Sequence, residues 1–195
     1  MKIISIVTLL FCMFFINIEA ATKYEVSIDP KLLNKSKEVL MEQVGVKEKT
    51  GHNDGKEVEY YLNTVGRQKG DAWCAALQYA VFYIACKILN LPLSFIPIER
   101  TGLANGIFNT AVEEGVAVSY KSKDNDLIVW RHGGTNRGHI ERIIEVRGGG
   151  WVTTIGGNTS SAGSQDEGEG VYKKRRNIQH PLSRMMVRGL IGFRI

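Results

Sequence analysis

The sequence predicts an α+β domain in which helices come first and an antiparallel sheet follows. Three observations carry this reading. Apolar residues recur at helical spacing as far as Glu114. From Leu127 onward they alternate with polar residues at the two-residue period of strands. Between two such strand patterns, Arg147-Gly148-Gly149-Gly150 supplies glycines for a tight turn. A chain of 195 residues is long enough for one domain with a sizeable core. Its 44% apolar and 23% charged content is that of an ordinary soluble globular protein.

The first twenty residues depart from this composition. Lys2 precedes a short uncharged apolar run that ends at Ile16, followed by Asn17-Ile18-Glu19-Ala20-Ala21. A basic start, a short apolar core and small residues at the break are the marks of a secretory signal peptide over residues 1–20. The run is short for a bilayer span. Leu9-Leu10-Phe11-Cys12 hints at a lipoprotein box, but bulky Phe11 before the cysteine argues against lipidation. The expected protein is therefore secreted or periplasmic, with no stable membrane insertion once the segment is removed.

After the signal peptide, a segment over 21–49 contains one helix. Asp29-Pro30 opens it, and Leu32, Leu33, Val39 and Leu40 give its apolar positions up to Val44. Gly51 to Gly55 reads as a loop. Val58, Tyr61, Leu62 and Val65 recur at helical spacing and stop at Gly66. Trp73 to Leu89 is apolar nearly all round, which predicts a helix buried at the centre of the domain. The prolines of Leu91 to Arg100 make that stretch a connector, and a shorter helix follows over Ala104–Glu114. The predicted strands are Leu127–Arg131, His139–Val146, Trp151–Ile155, Gly170–Arg176 and Met186–Arg194, with Ser160–Gly170 as a loop.

Removing the signal peptide leaves two cysteines, Cys74 and Cys86. Twelve residues along a helix separate them by about 18 Å, beyond disulfide reach. Cys86, among Tyr83, Ile84 and Ile88, reads as a core residue. Cys74 stands at the start of the helix instead. There the unpaired N–H groups and the helix dipole favour the thiolate, the reactive form of cysteine.

A nucleophilic thiol needs a histidine to take its proton and a polar group to hold the imidazole. The hairpin supplies both. With Gly148-Gly149 as a two-residue loop, Val146 faces Trp151, His139 faces Asn158 and Glu141 faces Gly156. Directly opposed side chains on one face lie about 5 Å apart. The bland alternative makes Cys74 a buried helix residue and His139 an ordinary strand residue, and geometry must decide between the two.

"NDGKEVEYYLNTVGRQKGDAWCAA" (53–76), "GHIERIIEV" (138–146) and "IGGNTS" (155–160) resemble the CHAP amidohydrolases, relatives of the NlpC/P60 cysteine peptidases that cut bacterial peptidoglycan. The resemblance runs from about Thr50 to the C-terminus and rests on the order of its pieces: WCAA, then GH on a strand, then GNTS on the next. It implies a papain-like core over 50–195, with Cys74 as nucleophile, His139 as general base and Asn158 orienting the imidazole. Members of this family often carry a carboxylate two residues before the asparagine, where this chain has Gly156. Either Glu141 supplies that carboxylate from the neighbouring strand, or it is a solvated strand residue.

Other residues are weaker candidates. Gln68 precedes Cys74 by six residues, like the oxyanion glutamine of papain-like proteases, but backbone N–H groups more often do that work in the family. Asp71 is expected to cap the central helix. His132 belongs to a Gly-rich loop, and His52 and His180 lack partners in the sequence. Scattered histidines give no metal-site spacing, and no glycine-rich phosphate motif with a following lysine occurs; no cofactor is expected. The net charge of +5 is spread along the chain apart from Lys173-Lys174-Arg175-Arg176, which reads as a guarded strand edge. Aromatics are not interleaved with it, so nucleic acid is not expected as a partner. The expected activity is that of an exported cysteine amidase or endopeptidase acting on peptidoglycan. A catalytically inactive wall-binding relative and a basic nucleic-acid-binding protein are the alternatives.

Overall fold

The computed structural model describes residues 22–161 and 168–195. The signal peptide expected over 1–20 and most of the loop expected after Ser160 lie outside the described residues. The domain is α+β: four α-helices and one seven-stranded sheet among the described residues. In chain order the elements are β1 (Thr22–Ser27), α1 (Pro30–Glu42), α2 (Lys56–Thr64), α3 (Cys74–Leu89), α4 (Ala104–Glu114), β2 (Val116–Val118), β3 (Leu127–Arg131), β4 (Gly138–Gly148), β5 (Trp151–Thr159), β6 (Gly170–Asn177) and β7 (Met186–Arg194). None of these helices is long and apolar enough to cross a membrane.

Local chemistry accounts for the helix starts. Asp29 caps α1 by accepting from the N–H groups of Lys31 and Leu32, and Pro30 occupies the first turn, where its missing N–H costs nothing. Buried residues occur on every side of α3, including Leu77, Gln78, Val81, Phe82 and Cys86. It packs against α1 and α2 on one side and β4 and β5 on the other. Burying a Leu or Phe there contributes about 1.5–3 kcal/mol. Asn90 ends the helix in the left-handed conformation.

The sheet order is β2-β1-β7-β3-β4-β5-β6. It is not wholly antiparallel as expected, because β1 runs parallel to β7. Residues 22–49, set apart in the sequence from the domain that follows, are woven into it. Their strand lies between β2 and β7, and their helix packs on α3. β1 escapes the sequence reading because one of its two buried residues is a lysine. Lys23 is 1% exposed and bonds both carboxylate oxygens of Asp126, at 3.0 and 2.8 Å. Burial pushes Asp126 up to about 6 although Lys23 acts against it.

β3 is buried on both faces. Leu127 and Val129 join the helix-side core, whereas Ile128 and Trp130 face a second cluster with Ile143, Val152 and Leu190 that Ile178, Leu182 and Met185 complete.

The β4–β5 hairpin corrects the expected turn. Gly148, not Val146, lies opposite Trp151, and Val146 pairs with Val152. The turn residues are Gly149 and Gly150, with φ of +59° and +77°, values that side chains disfavour. Two irregularities then follow, between Val146 and Gly148 and between Ile143 and Glu145. Each absorbs one residue of β4, as a bulge does. At Arg142–Ile155 the register is therefore the expected one.

Candidate active site

α3 presents Cys74 at its first residue, 5% exposed. The expected cap does not form: Asp71 accepts from the backbone N–H of Gln68 instead, and Trp73 in the cap position makes no side-chain cap bond. The first-turn N–H groups of α3 thus have no capping side chain, which leaves them available to an anion. Gln68 is exposed and stays outside the site. Trp73 locks the turn by donating its indole N–H to Glu48 at 2.8 Å. Cys74 and Cys86 are both free thiols, and burial pushes the Cys86 thiol up.

β4 brings the imidazole. Ile140 and Arg142 face the helices, so alternation turns His139 and Glu141 to the opposite face. Where α3 begins and β4 starts, the Cys74 sulfur lies 4.0 Å from the carbonyl of Gly138, the residue before His139. His139 is 3% exposed, lines the same cavity as Cys74, and lies 3.0 Å from Glu141 Oε1 through Nε2. Trp130, its ladder partner on β3, packs against the ring with centroids 6.0 Å apart.

Glu141 is fully buried, not solvated. Arg176 grips it in bidentate fashion, Nη2 to Oε1 at 2.6 Å and Nε to Oε2 at 2.9 Å, and Thr154 donates its hydroxyl to Oε2 at 2.5 Å. Burial pushes the Glu141 carboxyl up, but bonds and charge from His139 and Arg176 outweigh it and hold the group well below the usual carboxylate range. For His139, burial pushes the pKa down, while Cys74 and Glu141 push it up further, to about 9. A carboxylate that keeps its charge beside a histidine stabilises the imidazolium and fixes its orientation.

Asn158 is brought to the same place but does not do the expected job. The β4–β5 ladder ends at Arg142–Ile155 and does not extend to His139 and Asn158. Asn158 adopts φ +54° beside an irregularity in β5–β6 pairing, and its Oδ1 is buried without a hydrogen-bond partner. The imidazole is held by Glu141 instead. A cavity of about 260 Å³ opens over these residues, lined by Cys74, Gly138, His139 and Asn158 together with Leu103 and Arg137. A roomier cavity of about 760 Å³, beside Phe95 and Arg194, contains neither a thiol nor an imidazole.

The remaining histidines stay away: His180 packs on Trp151, and His52 and His132 do not line the cavity. No cluster of three metal-ligating side chains occurs among the described residues. Arg176 and Thr154 were missed by the sequence reading, although a signal for Arg176 existed. In a strand, the run 173–176 alternates between faces: Lys173 and Arg175 are exposed, and Arg176 is buried. No family model, curated protein or solved structure matches this chain.

Proposed function

We propose that the protein is an exported cysteine amidohydrolase that cleaves an amide bond of bacterial peptidoglycan, on a papain-like fold of the NlpC/P60 type. The observation that carries this reading is the placing of Cys74 and His139 on one cavity, with the imidazole bonded to a buried Glu141 that Arg176 clamps. The order of WCAA, GH and GNTS in the sequence supports the substrate class.

In this reading His139 takes the proton of Cys74, and the sulfur adds to the amide carbonyl. First-turn N–H groups of α3 bind the oxyanion. His139 then returns its proton to the leaving amine, and water, activated by the same imidazole, releases the acyl group. Glu141 touches no reacting atom; it is a positioning residue that keeps the ring in one tautomer and supports its positive charge. These side chains supply a nucleophile, a base and an acid, so acyl transfer can proceed through them alone.

The lack of a carboxylate at Gly156 favours a catalytically inactive relative, whereas Glu141, whose side chain lies in that space, supports an active enzyme. The test is digestion of purified cell walls. Cys74→Ala should abolish release of soluble fragments while the circular dichroism spectrum is unchanged. Iodoacetamide should label the native protein at Cys74 near neutral pH. Fragment release by the Cys74→Ala protein would overturn the proposal.

A further inference from the structure

β6 ends the sheet, so one of its edges has no neighbouring strand among the described residues. Only its beginning is covered. Val171 donates its N–H to the Val46 carbonyl at 2.9 Å and accepts from the Gly45 N–H at 2.9 Å, and Lys47 bridges Gly170. In an antiparallel ladder the backbone groups of alternate residues point to the same edge. Val171 points outward, so Lys173 and Arg175 do as well. Tyr172, Lys174 and Arg176 instead face Gly156, Thr154 and Val152 on β5. The alternation continues past the strand, where Ile178 turns its N–H inward to the Gly150 carbonyl at 2.9 Å. Asn177 closes the row, because its carbonyl accepts from the His180 N–H at 3.2 Å. The N–H and C=O groups of Lys173 and Arg175 are thus open to a further strand.

The side chains along this opening are cationic. Lys173 and Arg175 are exposed and share one face, across from Ile155 and Thr153 in the ladder. Neither forms an ion pair among the described residues. Arg175 lies over the ring of Trp151, with its guanidinium carbon 4.3 Å from the centroid. The ring orients the cation without cancelling its charge. The acid in the same row of the sheet, Glu145 across Thr153, is already held by Arg147 at 2.7 Å. Lys174 differs from its neighbours, since its ammonium bonds the carbonyls of Ser160 and Ser161.

Charge decides what fits such an edge. A second copy of β6 is rejected, because pairing would set lysines and arginines against one another. A strand of opposite sign is favoured twice over. Its backbone completes the open row, and its acids, two residues apart on one face, come to lie beside Lys173 and Arg175.

We propose that the edge of β6 at Lys173 and Arg175 is a docking site for an extended acidic segment of a partner protein, which adds a strand to the sheet. The site is separate from the amidohydrolase reading, since neither residue lines the cavity of Cys74 and His139.

The probe is a short labelled peptide that alternates glutamate with threonine, read by fluorescence anisotropy and by amide hydrogen exchange of the wild-type protein. The amides of Lys173 and Arg175 should exchange fast in the free protein and slow about tenfold or more when the peptide binds. Lys173→Glu combined with Arg175→Glu should weaken binding about tenfold or more, as reversal of opposite-charge cross-strand pairs implies. Its circular dichroism spectrum should be unchanged, because both side chains are exposed. The same peptide with N-methylated glutamates keeps its charge but loses the donors that would face β6, and it should bind about tenfold more weakly or not at all. Equal binding of the N-methylated peptide, or of a polyphosphate of the same charge, would make this a general anion surface and overturn the strand addition. Failure of the peptide to bind, or slow exchange at Lys173 and Arg175 in the free protein, would overturn it as well.

Discussion

The side chain of Glu141 fills the space that a side chain at Gly156 would need. A Cβ at 156 would lie 2.5 Å from Glu141 Cγ and 3.0 Å from its Cδ and Oε1, closer than carbon atoms approach without something moving. The space between these neighbouring strands holds one such side chain at a time. Glu141→Gln should reduce kcat on cell-wall fragments about 10²-fold or more, since a misheld imidazole is the main loss when the orienting acid of such a triad is neutralised. Gly156→Glu alone should destabilise by about 1–3 kcal/mol through overpacking. The pair Glu141→Gly with Gly156→Glu should recover part of the lost rate, which a muropeptide release assay reads. A double variant no faster than Glu141→Gln would refute the exchange.

The His139 pKa lies above its ordinary 6.5, at about 9, because Cys74 and Glu141 outweigh burial. A group that binds its proton more tightly in the folded state adds stability below about pH 6.5 and loses it as pH rises through about 9. Glu141 has the opposite sign: its lowered pKa adds stability above its ordinary 4.5, lost as pH falls. Activity that needs the imidazolium as acid should hold through neutral pH and fall above about 9. In Glu141→Gln that alkaline limb should move to lower pH, measured as kcat/KM against pH. An unmoved limb would separate Glu141 from the ring's charge.

Cys74 and His139 were legible because each sits on a strongly patterned element. An apolar helix with a cysteine at its start and a glycine turn between alternating strands both have local causes. The carboxylate was legible only as one of two readings, since burial of Glu141 depends on Arg176, a residue thirty-five positions away. Asn158 was placed near the site but expected against His139, because the end of the β4–β5 ladder at Arg142–Ile155 and a left-handed Asn158 are not encoded in strand alternation. β1 was invisible for a related reason: Lys23 reads as a solvated residue until Asp126 is known to face it.

Gly157 is constrained from the other face of β5. A Cβ there would lie 2.4 Å from the Trp73 ring and 2.7 Å from Leu77 Cδ2. Trp73 is fully buried, packs on Tyr61 with centroids 5.9 Å apart, and is tied to Glu48, so it has little room to yield. Gly157→Ala should cost about 1–3 kcal/mol in urea unfolding. It should also lower kcat more than it raises KM, because the displaced ring belongs to the residue before Cys74. A stable and fully active variant would show that the turn carrying the thiol tolerates movement.

The ion pair of Lys23 and Asp126 ties the first strand to the rest of the domain, with both side chains buried, at 1% and 2% exposure. Removing one partner of such a pair leaves a charge in the interior, so Lys23→Met should cost about 3–5 kcal/mol. Asp126→Asn in the same protein should return part of it, because the orphaned charge is gone. The loss should also depend on pH in a defined direction. Burial already raises Asp126 to about 6 with Lys23 present, and without the ammonium it rises further. Below about pH 6 the carboxyl is mostly protonated in both proteins, so the difference between wild type and Lys23→Met should shrink as pH falls from 8 to 5. Denaturant melts at those two pH values measure it; a difference that grows toward acid would mean that Lys23 stabilises the fold through its packing rather than through Asp126.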